Sequence, residues 1–213
     1  MIADANELIV ACARLPQPLQ AATRAALRAQ LPYGRQLQLG SEPLRQSHSL
    51  LGVALACELL AHVARRPLRA SQLRYRAGGK PYAPGFPDFS IAHAGEWVVC
   101  AVANRGAVGV DVEVLGSAGL SAASSAGAST LGALALWSGR EATLKAAGAT
   151  LAELARVQGG GSHWRFRARR WYGHAPRLAP GTVLRVVSSL PNARCRLLRR
   201  PAERVIARQQ AQR

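Results

Sequence analysis

The apolar positions of this chain change period several times along its length. Leu8 to Ala13 is a short apolar segment, and a helix-like stretch follows from about Pro18 to Gln30, punctuated by Pro16, Pro18 and Pro32. Ser49 to Ala64 (SLLGVALACELLAHVA) repeats its apolar residues at helical spacing and predicts a buried helix that Pro67 ends. Leu73 and Tyr75 alternate with Arg74 and Arg76, which predicts a short strand. Gly78 to Pro87 is rich in Gly and Pro and reads as a loop. Phe89 to Ile91 predicts a short strand and Trp97 to Ala103 a buried one. Asn104 to Gly106 is a turn, and Val108 to Val114 (VGVDVEV) is a strand with strict alternation. Residues 116–130 are small and of low complexity, a linker or a weak helix. Leu131 to Ala147 predicts a helix closed by Gly148. Trp164 to Tyr172 and Thr182 to Ser188 predict strands, and the Arg-rich end from Ala193 is expected to fray.

With 213 residues there is room for one domain, or for two small ones sharing an interface. Hydrophobic residues make up 49% of the chain but aromatic ones only 5%, so a packed core must rest on Leu, Val and Ala. The net charge is +17, and all but two of the 28 basic residues are arginine. Genomic base composition and an anionic partner explain that bias equally well. Against it, Lys80, Lys145 and the eleven acids stand out. Cys12, Cys57, Cys100 and Cys195 form no CxxC pair, so zinc ligation is not indicated. The first residues do not resemble a signal peptide, and no apolar run is read as reaching membrane-spanning length. A soluble, cytoplasmic protein is expected.

Three clusters carry candidate chemistry. In VGVDVEV the valines share one face, and Asp111 and Glu113 share the other, about 7 Å apart. A hard cation with oxygen ligands would relieve their repulsion. Acids on the wet side of a half-buried strand explain the same pattern. Trp137, Glu141 and Lys145 are spaced four apart on one helix face, either as a surface ion pair or as a third oxygen ligand with a phosphate-binding ammonium beside it. Gly79-Lys80-Pro81 holds the other lysine in a loop that proline stiffens, and His93 sits among small residues ahead of a buried strand.

In order, GKPY, FSIAHAGEWVVCAVA, VGVDVEV and LWSGREATLKAAG resemble the signature series of the phosphopantetheinyl transferase superfamily, in its surfactin-synthetase-activating branch. The resemblance covers Gly78 to Gly148. It implies an α+β pseudo-dimer of two similar halves, residues 1–107 and 108–213, with the active site at their interface. It implies Mg²⁺ on Asp111, Glu113 and Glu141, and a pyrophosphate of coenzyme A near Lys145, with Arg140 in place of a usual lysine. It places the 3′-phosphate near His93, with Arg45 and His48 as looser matches, and the adenine end near Lys80 and Pro81. Glu141 is the expected base and the acidic acyl or peptidyl carrier protein the expected partner. Neither a membrane nor nucleic acid is expected. Ala92 and Ala94 replace the serines usual in relatives, and the span from Asp111 to Glu141 is shorter than usual, with the stretch 116–130 where relatives carry helical structure that helps hold the carrier protein. A member that binds without turnover, and a basic nucleic-acid-binding protein, are the alternatives.

Overall fold

The computed structural model describes residues 6–76, 78–116 and 129–211, so the expectation for 117–128 lies outside the described residues. The elements are β1 (Glu7–Arg14), α1 (Ala21–Ala29), α2 (Tyr33–Gln38), α3 (Pro43–Ala64), β2 (Arg74–Tyr75), β3 (Pro81–Tyr82), β4 (Asp88–Ala94), β5 (Trp97–Ala103) and β6 (Val108–Val114). They continue with α4 (Ser129–Ala147), β7 (Gln158–Gly160), β8 (His163–Phe166), β9 (Arg169–His174), β10 (Thr182–Ser188), β11 (Arg194–Arg199) and α5 (Ala202–Gln210). One sheet has the order β11-β1-β5-β4, with β1 and β11 parallel; the second, β6-β10-β9-β8-β7, is antiparallel throughout. A two-residue ribbon pairs β2, in the predicted short strand, with β3, inside what the sequence presents as a loop.

The fold is four layers deep: helix, sheet, sheet, helix. Ile9, Ala11, Val98, Cys100 and Val102 face α3 and α5, while Leu8, Val10, Val99 and Ala101 face the second sheet. Both faces of β1 and β5 are therefore covered, which is why these strands read as unbroken apolar runs. Val108, Val110 and Val112 of β6 meet Leu184 and Val186 in the core between the sheets. On the far side of the second sheet Trp164, Phe166, Trp171 and Val187 pack under Ala142, Leu144 and Ala146 of α4. The molecule is thus of the α+β class, built of two helix-on-sheet layers.

Several expectations change. Helix α3 starts six residues before Ser49. The Glu42 carboxylate caps it, accepting the N–H of Leu44 at 2.8 Å and of Arg45 at 2.6 Å, and Pro43 fits its first turn. By length and composition α3 does qualify as a membrane span, contrary to the sequence reading; here it is the buried helix of the first layer. Trp164 to Tyr172 is a hairpin rather than one strand. It turns at Arg167 and Ala168, both at positive φ, where no Gly or Asn announces the turn. The arginine-rich end does not fray: β11 pairs with β1, and Ala202, Val205 and Ile206 of α5 enter the first core. A division at 107/108 therefore sends the last strand and helix back to the layer built by the first half.

Candidate active site

Two edge strands, β4 of the first sheet and β6 of the second, run side by side, and the candidate residues gather along this seam. Glycine fixes how close α4 comes to it. A Cβ on Gly109 would lie 1.9 Å from the Ala142 carbonyl oxygen, and one on Gly139 would lie 2.1 Å from the Trp164 ring. Gly109 shares its strand face with Asp111 and Glu113. The contact that seats the helix on Gly109 therefore brings Glu141 and Lys145 over the two acids. At its end α4 closes in a Schellman motif, with Gly148 at φ 66° and Ala149 N–H donating to Leu144 O at 2.9 Å.

The result is one lysine among three carboxylates. Lys145 Nζ donates to Asp111 Oδ1 at 2.6 Å and lies 3.7 Å from Glu141 Oε2. Asp111 is buried, at 4% exposure, and its Oδ2 has no hydrogen-bond partner among the described residues. Burial pushes the Glu113 carboxyl above the usual carboxylate range, and the charges of Asp111 and Glu141 add to the shift. Glu141 is raised in the same way, by burial and then by Asp111, against the opposing pull of Lys145. The Trp137 indole N–H is within hydrogen-bonding reach of both glutamates. The sequence placed Trp137 on the right helix face but gave it only a packing role. The acids are neighbours, but among the described residues no group of three His, Cys, Asp or Glu side chains is placed so that it could hold a metal ion.

Across the seam, His93 on β4 faces α3, where His48 lies 5.6 Å away between ring centroids. His48 is buried, and its Nε2 is 2.9 Å from Leu15 O. The His93 residue is open to solvent on one side but crowded on the other. Partial burial first, and then the charges of His48, Lys145 and Arg45, lower its pKa to about 4. The charges of Arg45, His48 and Lys145 thus all act on one imidazole, although they come from opposite outer helices. Ala92 points the other way, into the core between the sheets. A serine there would face apolar side chains rather than His93. Arg140 is half-buried on α4, and its Nε lacks a partner among the described residues.

Lys80 is placed differently. Its ammonium, 8% exposed, donates to Asp88 Oδ2 at 2.6 Å and to Val108 O at 2.9 Å, and Val108 N–H donates to the same Asp88 oxygen. Lys80 and Asp88 clasp the starts of β4 and β6. Beside them a cavity of about 400 Å³ opens between the Gly-Lys-Pro loop and the end of α4, lined by Arg76, Lys80, Gly148, Arg167, Arg169 and Trp171 among others. This cavity does not include the acid cluster, and the acids are the candidate site because their charge is unbalanced. The register sets Arg185 directly across from Asp111; burial lowers its pKa and no carboxylate offsets the shift. Nothing in the sequence marks Arg185, because only strand pairing creates that neighbourhood.

No protein-family model matches the chain. Over 37 residues it is 51% identical to a 4′-phosphopantetheinyl transferase of Bacillus subtilis, covering 16% of each chain. Over 65 residues it is 40% identical to 4′-phosphopantetheinyl transferase gsp of Aneurinibacillus migulanus, covering 30% of this chain and 27% of that one. The chain thus matches well under a third of the length of either relative. Both matches support a relationship to the phosphopantetheinyl transferases.

Proposed function

We propose that the seam is the active site of a phosphopantetheinyl transferase, of the surfactin-synthetase-activating type, that moves 4′-phosphopantetheine from coenzyme A to a serine of an apo carrier protein. The observation that carries this reading is the charge imbalance: among the described residues Lys145 is the one cation paired with Asp111 and Glu141, Glu113 feels the charges of all three, and a buried Asp111 oxygen is unpartnered. Three oxygen donors on a rigid strand and a helix suit a hard divalent cation. Asp111, Glu113 and Glu141 would hold Mg²⁺, which when bound neutralises diphosphate charge.

The protein's own groups do the rest. Lys145, already within the cluster, neutralises a phosphate oxygen. Arg45, His48 and His93 would take the 3′-phosphate, in line with the 5.6 Å between the two imidazoles and the reach of the Arg45 charge to His93, and the cavity beside Lys80 would take the adenine end. In transfer, the serine Oγ forms a bond to the β-phosphorus of coenzyme A and the P–O bond to the leaving 3′,5′-ADP breaks. Glu141 takes the hydroxyl proton. Such chemistry rests on positioning and electrostatics. The two helix-on-sheet layers are, in this reading, the halves of a pseudo-dimer.

The test is incubation with coenzyme A, Mg²⁺ and a panel of apo carrier proteins, read by intact mass. Addition of phosphopantetheine by the wild type and not by Glu141→Ala supports the proposal. No addition to any carrier, or equal addition by the variant, refutes it. The +17 charge favours a nucleic-acid-binding alternative, which filter binding set against coenzyme A affinity separates.

A further inference from the structure

Strand alternation gives the β8–β9 hairpin two unlike faces. Trp164, Phe166 and Trp171 lie on the side of α4, so His163 and Arg165 of β8 and Arg170 and Tyr172 of β9 lie on the other. The core between the sheets takes its second-sheet residues from β6, β10 and Leu178 of the β9–β10 loop; among the described residues none of β7, β8 or β9 belongs to it. The first sheet therefore leaves this outer face uncovered. His163, Arg165 and Arg170 are exposed and Tyr172 is half-buried.

The register arranges the face in two rows. Arg165 lies directly opposite Arg170, and in the next row His163 lies opposite Tyr172, with ring centroids 6.0 Å apart. Residues two apart on a strand set the rows about 7 Å apart. Like charges directly opposite destabilise a strand pair. The chain has no Asp or Glu from Leu154 to Ala202, and Glu153 is taken by Arg156 and Arg167, so among the described residues neither arginine of the row has an acidic partner. A groove of about 370 Å³ runs beside the rows, with Gln158, His163, Arg165 and Arg170 in its lining.

Two cations held against each other suit an anionic ligand, and rings in the neighbouring row suit a flat apolar group. An acidic polypeptide meets the first requirement alone. A duplex offers phosphates but keeps its base faces stacked inside. A single nucleic-acid strand meets both, with phosphates on the arginines and a base on the rings.

We propose that the outer face of β8 and β9 binds single-stranded nucleic acid, Arg165 and Arg170 holding phosphate while His163 and Tyr172 stack a base. This would be a second activity, against the expectation that nucleic acid plays no part. It does not rest on the transfer reading, because Asp111, Glu113 and α4 lie on the opposite face of the same sheet.

The experiment uses the full chain and follows labelled 12-residue oligothymidylate, oligouridylate and polyglutamate by fluorescence anisotropy. Arg165→Ala/Arg170→Ala removes a repulsive pair, so its Tm should hold or rise. It should lose about tenfold in affinity for the tighter of the two oligonucleotides, and the slope of log affinity against log salt should fall by about 1.4. Arg194→Ala/Arg204→Ala removes the same charge from exposed arginines of the first layer and should cost less than about threefold. Tyr172→Leu keeps the charge and should also lose about tenfold for the oligonucleotide with polyglutamate binding unchanged. Exposed His163→Leu reads the same stacking if the tyrosine variant does not fold. Saturating coenzyme A should leave oligonucleotide affinity as it was. No oligonucleotide binding by the wild type, equal losses from the two arginine pairs, or equal effects of the ring variants on polyglutamate overturns the proposal. Displacement by coenzyme A overturns it too, since that would put the strand at the seam. Absence of phosphopantetheine transfer bears on the transfer reading alone.

Discussion

The two lysines of this chain sit at different points along one seam, and their surroundings differ in charge balance. Lys80 meets one carboxylate and one carbonyl, and Asp88 in turn accepts from Lys80 and from a backbone N–H. Every strong group there has a partner, and the clasp is closed. Lys145 meets two carboxylates, Asp111 and Glu141, and its charge acts on a third, Glu113; one of the three has an oxygen unpartnered among the described residues and two have raised pKa values. A buried ion pair that balances holds strands together. One that does not balance is held by the fold at a cost, and is where the proposed cation and anionic substrate would belong.

This contrast breaks in graded ways. Asp111→Ala should lower transfer by about three orders of magnitude with the circular dichroism spectrum unchanged, since it removes the central carboxylate and frees Lys145. Near-normal turnover would put Asp111 on the structural side of the comparison. Lys80→Met should do the reverse. It strands Asp88 without its cation and should cost about 3 kcal/mol in urea unfolding, while kcat in the surviving folded fraction stays close to wild type. Gly109→Ala forces α4 off β6. We expect a loss of about 2 kcal/mol, together with weakened coupling of Lys145 to Asp111, seen as altered Lys145 NMR shifts. If the variant is as stable as wild type, the helix is not seated as described.

Smaller effects sharpen the difference between the clusters. Mg²⁺ at about a hundred times its Kd should stabilise the wild type by about 2.7 kcal/mol, and Glu113→Gln should abolish most of that gain while Lys80→Met keeps it. The smallest effect is on the metal-free protein. Glu113 and Glu141 titrate above their unfolded values, so the folded state holds more protons and stability falls as pH rises through their folded pKa values. Glu113→Gln should therefore stabilise the metal-free chain slightly at pH 8 and not at pH 4, by about half a kcal/mol after solvent screening. A destabilised variant at pH 8 would show that the acids are already compensated.

The legible parts of the fold were those with local periodicity. The strict alternation of VGVDVEV puts Asp111 and Glu113 on one face, and spacing by four puts Trp137, Glu141 and Lys145 on another. The hairpin at Arg167 and Ala168 escaped notice because its turn residues carry no turn signal. β11 and α5 were obscured by their arginines, since the parallel partner β1 lies at the other end of the chain. Likewise nothing local announces that Lys80 donates to Asp88 and Val108, which become its neighbours only when β4 meets β6.

The sequence by itself determined which residues share a face: the period of a strand or helix is a property of the local backbone, so the two acids and the Glu/Lys pair were each aligned before any folding was considered. Tertiary structure alone decided which faces meet and with what charge. Gly109 set the distance of α4 from β6, the sheet seam brought His93 towards Lys145, and burial raised both glutamates. Distances between elements and the loss of solvent depend on the whole packed chain, so no local pattern encodes them.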